Sequence, residues 1–239
     1  MTPVSEENSY LSNPRWAVAE QVAGAARRRW PADVLAVGVH GPLAHDVDAR
    51  AGDVAVTVIT YRSGGASRTT TRRVAGVLVG LCVVGADDYL RQARTLTPSW
   101  PLTADRYVTT RAVHDPTRWL VKLREAHLGR LADARQAEFT AMAREAWYPA
   151  ASALARATRL AEWYDTDAAV LMLGEARLSA ATVAGLLSRT YFRDGPDAVR
   201  STGLAAADLT ELAATLNSQA ADLTHRGRPV DGPVDSLFD

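Results

Sequence analysis

Thiols, lysine and net charge are all scarce in this chain, and the first and last of these shortages each remove a class of function. A single cysteine, Cys82, stands among 239 residues. No disulfide can form within the chain, and a multi-thiolate metal site is excluded. The apolar surroundings of Cys82, GVLVGLCVV over 76–84, predict an inert thiol that behaves as a small hydrophobe. Basic and acidic side chains balance at 27 each, which leaves no electrostatic footprint for a general nucleic-acid binder. Lys122 is the only lysine, so arginine supplies nearly all the positive charge. The longest apolar run, Val74 to Ala86, is too short to span a bilayer and suits a core strand. The amino terminus, MTPVSEENSY, is polar and acidic, unlike a secretory signal. These shortages together lead us to expect a cytoplasmic protein with no membrane and no nucleic acid among its partners.

What is present falls into two textures. Asn13-Pro14 marks a helix start with proline in its first turn, and Trp16, Val18, Val22 and Ala25 give that helix an apolar face as far as Arg29. Strands are predicted over 34–39 and 53–60, then a hairpin turn at Ser63-Gly64-Gly65. A half-exposed Thr/Arg strand over 67–74 and an apolar central strand over 76–84 follow. Ala86-Asp87-Asp88 begins a helix, acidic at its amino end as the dipole favours. Pro98 to Thr103 reads as a linker or cleft loop, and Tyr107 to Val113 as a further strand. Beyond Pro116 the chain is rich in alanine and leucine, with helices expected over 117–128, 130–147, 149–163, 167–190 and 205–226. Pro149, Asp165 and Asp194-Gly195-Pro196 are their punctuation. Sheet first and helices second is an α+β pattern, with domains over 1–116 and 117–228 and an extended tail over 229–239.

The stretch VLAVGVHGPLAHDVDARAGDVAVTVITY, 34–61, organises the first domain. It resembles the opening motif of the DNA polymerase beta-like nucleotidyltransferase superfamily. Three further segments extend the likeness in order: Ser99-Trp100-Pro101-Leu102-Thr103, Ala184-Gly185-Leu186 with Arg189, and His225-Arg226-Gly227 before Pro229-Val230-Asp231. With them the chain resembles the kanamycin (aminoglycoside 4'-) nucleotidyltransferase family. The resemblance implies a nucleotidyltransferase-type mixed β-sheet domain, an α-helical bundle domain, and a homodimer.

In that family a Gly-Ser turn holds the triphosphate, and carboxylates two residues apart on a strand share one face. They ligate magnesium, which neutralises charge growing at phosphorus. Carried over one residue at a time, the serine falls on Pro42, which has neither hydroxyl nor backbone N–H. A nearby arginine falls on His45, the first carboxylate on Asp53, the second on Ala55, and the third at or near Gly80. The general-base glutamate falls among Tyr148, Pro149 and Ser152, with Glu145 one turn away as a substitute. Of four acids, Asp53 is retained.

The expectation is a degenerate member without metal ligands or a resident cofactor. Its cleft would be recruited for small-molecule binding or metal-free acid–base chemistry in specialised-metabolite (antibiotic) biosynthesis. The alternative is an active aminoglycoside O-nucleotidyltransferase using magnesium and ATP, with Asp46 and Asp48 as replacement ligands. His40, Asp53 and Glu145 are the candidate catalytic residues. His40 directly precedes the turn, and a histidine with a nearby acid suits proton transfer near neutral pH. The bland readings are a turn-capping acid for Asp53 and a polar loop for His45 and Asp46. His45, Asp46, Tyr107, Arg111, His114 and Tyr148 are the candidate ligand-binding residues.

Overall fold

Asn13 accepts a hydrogen bond from the Arg15 N–H at 3.0 Å through its side chain, and Pro14 follows. Together they start the first helix, α1 (Pro14–Arg29), which buries Val18, Ala19, Ala23 and Ala26 along one face. The computed structural model describes residues 13–46, 53–62 and 67–237. The hairpin turn expected at Ser63-Gly64-Gly65, and Asp48, lie outside the described residues. Among those described, five strands make one mixed sheet: β1 (Val34–His40), β2 (Val54–Thr60), β3 (Arg68–Val74), β4 (Val77–Gly85) and β5 (Arg111–His114). Their order is β3-β4-β2-β1-β5. β2 and β4 run parallel, and the other neighbours are antiparallel.

Alternation along the strands sorts the two faces. Val37, Val39, Val54, Val56, Val58 and Val79 pack with the buried face of α1. Ala36, Ile59 and Val84 face the other way, against Tyr89 and Leu90 of α2 (Ala86–Arg94) and Trp119, Leu120 and Leu123 of α5 (Trp119–Asp133). Each such aliphatic side chain contributes about 1.5–3 kcal/mol on burial, so β1 and β2, covered on both sides, anchor the sheet. Gly38 is required on the second face, since a Cβ there would lie 2.3 Å from Thr110 Cγ2.

Tyr107 and Val108 were expected in a strand but lie in a short helix, α4 (Asp105–Val108). The Asp105 carbonyl accepts from both the N–H and the hydroxyl of Thr109, and the Thr110 hydroxyl donates to the Arg106 carbonyl. These local bonds close a helical turn and delay the strand until Arg111.

The chain groups into two compact units, Met1–Thr95 with Asp105–Ala132, and Leu96–Ala104 with Asp133–Asp239. The change of texture in the sequence falls at 116/117, but the buried side chains of α5 hold that helix to the sheet. Leu96–Ala104 passes to the second unit, where α3 (Trp100–Thr103) buries Trp100 edge-on to Phe139, 5.1 Å between ring centres.

The second unit is built on α6 (Gln136–Glu162), α7 (Thr166–Ser188), α8 (Gly195–Ser201) and α9 (Leu209–His225). Ala150, Ala153, Ala176, Ala180, Leu212 and Leu216 lie in its core. Asp165, Asp194 and Asp208 cap α7, α8 and α9. The break expected at Pro149 does not occur. Pro149 sits on the exposed side of α6, and burial of Ala146, Ala150 and Ala153 carries the helix past the missing N–H. By length and composition α7 could cross a membrane, at a mean hydropathy of 1.5; Ala176, Ala180 and Ala181 on it are buried within this unit. The tail includes a 3₁₀ turn, Val234–Leu237, and is not extended throughout.

Candidate functional site

β1, β2 and β4 set three positions side by side: His40 opposite Ala55, and Ala55 opposite Gly80. Asp53, two residues before Ala55, joins the same row. A Cβ built on Gly80 would meet nothing nearer than Asp53 Oδ2, at 4.0 Å. Along this row stand a carboxylate at Asp53, a methyl group at Ala55 and a hydrogen at Gly80. Among the described residues, no group of three or more His, Cys, Asp or Glu side chains could hold a metal ion. The described residues of this row do not fit a magnesium site.

His40 ends β1 half-buried. Burial pushes its imidazole down to about 4; the positive charge of Arg106 adds to the depression and Asp53 opposes it. Only about one molecule in a thousand is then protonated at neutral pH. The acid–base role expected from sequence narrows accordingly. His40 can accept a proton or a hydrogen bond, but it holds no proton in reserve as an imidazolium.

Arg106, on α4, places its guanidinium 5.2 Å from the centre of the Tyr107 ring. No carboxylate among the described residues pairs with it, and its Nε is buried without a hydrogen-bond partner. The Tyr89 and Tyr107 phenols are both pushed up by burial, and both feel Arg106 pulling the other way. Sequence reading missed Arg106 because nothing marks it out among 26 arginines, the 27 basic residues less Lys122. The available signal was an Asp-Arg pair one residue after the Trp-Pro-Leu-Thr segment.

The remaining candidates are dispersed. Gly41, at a φ of 75°, begins a 3₁₀ turn over Pro42–His45. His45 Nε2 donates to Asp105 Oδ1 at 2.8 Å, and Asp105 is buried. Asp46 adopts a left-handed φ of 54° and takes both terminal nitrogens of Arg111, at 3.0 and 2.8 Å. Arg111 pairs with Val39 and so belongs to the α1 face, opposite to His40. There it lines a groove of about 360 Å³ with Asn13, Trp16 and Glu20. His114 ends β5, its imidazole held below the usual value by burial and by Arg27.

Tyr107 is buried, with ring centres 5.4 Å from Tyr89 and 5.1 Å from His127. Glu145 and Tyr148 belong to the second unit. Glu145 is exposed on α6, and Tyr148 donates its hydroxyl to the Val230 carbonyl at 3.1 Å. Arg144 makes a similar bond to Pro229 at 2.8 Å, so this pair secures the tail.

Segments quoted for the family resemblance meet within the second unit. A Cβ on Gly185 would come within 2.8 Å of Pro101 Cβ and of Phe192, and the Phe192 N–H donates to the Pro101 carbonyl at 2.7 Å. Arg226 reaches the Leu187 carbonyl at 3.1 Å. The fold and this site together define an α+β protein whose sheet presents a face with few described carboxylates, acted on by an arginine that has no carboxylate partner among the described residues.

No family model matches the chain, and no curated protein does. Among solved structures it is similar to a nucleotidyltransferase-like protein from Exiguobacterium sibiricum 255-15. The identity is 14%, over 87% of this chain and 74% of that one, with a TM-score of 0.42. So loose a likeness carries no weight for the site, which rests on its own geometry.

Proposed function

We propose that this chain has a nucleotidyltransferase-type fold of the kanamycin nucleotidyltransferase kind that has lost metal-dependent nucleotidyl transfer. Its sheet face binds a small molecule or supports metal-free acid–base chemistry. The observation behind this reading is the row His40, Ala55 and Gly80 in register, with Asp53 its single carboxylate among the described residues. Removing one preorganised electrostatic contact typically costs about 10²–10³ in rate. Losing a bound cation forfeits several kcal/mol of charge stabilisation besides. Two absent acids, together with the proline at position 42, exceed what the described side chains on this face can replace. His40 acts there as a neutral acceptor or base, and Asp53 orients a donor of the ligand. The homodimer and the cytoplasmic setting belong to the same proposal.

Calorimetry with magnesium–ATP and with kanamycin, alongside an adenylyl-transfer assay, tests it. The expected result is neither magnesium-dependent nucleotide binding nor transfer. Robust transfer would establish the alternative, a working aminoglycoside nucleotidyltransferase.

A further inference from the structure

Two charged groups act on His40, and neither has an ion-pair partner among the described residues: Asp53 and Arg106. Arg106 is the more telling of the two. A buried N–H donor without an acceptor is rare in native proteins unless something outside the chain supplies one. Its setting is built to keep the guanidinium in place. The Tyr107 ring lies 5.2 Å beneath it, and the Thr110 hydroxyl clamps the Arg106 carbonyl at 2.5 Å. Tyr107 is in turn packed against Tyr89 and His127. The guanidinium fork matches two coplanar oxygens, and its charge cannot be titrated away at any physiological pH.

We propose that Arg106 anchors a single oxyanion, carboxylate or phosphoryl, of the small molecule bound at the His40–Ala55–Gly80 row. The inference rests on the reading above, that this face binds a small molecule. One fixed cation, Arg106, and one carboxylate, Asp53, both act on His40, so the face accommodates one negative charge and repels a second. A monoanion is therefore preferred to a polyphosphate. Neutral His40 adds an acceptor for a hydroxyl or amine next to that anion. A fixed side-chain cation thus supplies positive charge where the residues present can no longer hold a metal.

The test uses the full chain and three probes, acetate, inorganic phosphate and pyrophosphate, without magnesium. Binding is followed by the NMR resonance of the Arg106 Nε–H, assigned by its loss in Arg106→Lys. Acetate or phosphate is expected to shift that resonance saturably, and which of the two binds tighter identifies the oxyanion. Arg106→Gln should weaken binding by roughly ten- to a hundredfold, the worth of a charge-assisted pair. Arg91→Gln, at an exposed position of α2, should leave it unchanged, and Asp53→Asn should selectively strengthen pyrophosphate. Should Arg106→Gln fail to fold by circular dichroism, Arg106→Lys and the wild-type resonance still decide.

Binding indifferent to Arg106, or a resonance that none of the probes moves, overturns the inference alone. Magnesium-dependent ATP binding that survives Arg106→Gln instead overturns the reading it rests on.

Discussion

His40 should titrate near pH 4, and its reluctance to take a proton should appear as an acid-side loss of stability. In the unfolded chain its imidazole protonates at the ordinary value of 6.5; in the fold, burial and Arg106 lower this to about 4. The unfolded state therefore binds a proton first. The contribution of His40 is fully present above pH 6.5, is lost as pH falls from 6.5 towards 4, and changes no further below that. The gap, 6.5 less about 4, corresponds to about 3 kcal/mol if solvent screening is ignored. His40 is only half-buried, and screening reduces this to about 1–2 kcal/mol.

Urea unfolding of the wild type and His40→Gln from pH 4 to pH 8 measures the effect. The difference between the two curves removes the contributions of His114 and His127, whose imidazoles are also held low. It likewise removes that of Asp197, whose carboxyl is lowered by Arg193. Arg106→Gln should raise the His40 midpoint and Asp53→Asn should lower it further. A His40 ring resonance titrating at 6.5 or above, or a flat difference curve, would refute the reasoning.

Two other outcomes follow from the same face. Gly38→Ala places a Cβ 2.3 Å from Thr110 Cγ2 and 3.3 Å from Leu120 Cδ1, and overpacking of this kind should cost about 1–3 kcal/mol in denaturant unfolding. Thr110→Ser should recover part of it, and an unchanged midpoint in Gly38→Ala would contradict the packing described. The double substitution Ala55→Glu with Gly80→Asp should create a divalent-cation site beside Asp53. Electron paramagnetic resonance should report bound manganese that the wild type lacks; no gain in binding would mean the row does not converge as the register requires.

Local signals carried much of the architecture, because they act within a few residues. Asn13-Pro14, Asp165 and Asp194 mark helix starts through bonds to the next turn, and valine alternation separates the faces of β1 and β2 in sequence. The same locality explains the errors. Pro149 interrupts one hydrogen bond but not the buried alanine face around it, and Thr109 and Thr110 turned a strand-like run into a helical turn.

At the site, the amino-acid sequence alone determined that Pro42, Ala55 and Gly80 offer no side-chain ligand or hydrogen-bonding group, wherever they lie. Tertiary structure decided what surrounds those positions. It set Gly80 beside Asp53 across a strand pair, sent Arg111 to the α1 face, spent Tyr148 on the tail, and brought the charge of Arg106 to bear on His40. Electrostatic effects depend on distance and burial, which residues far apart in sequence acquire only when the sheet assembles.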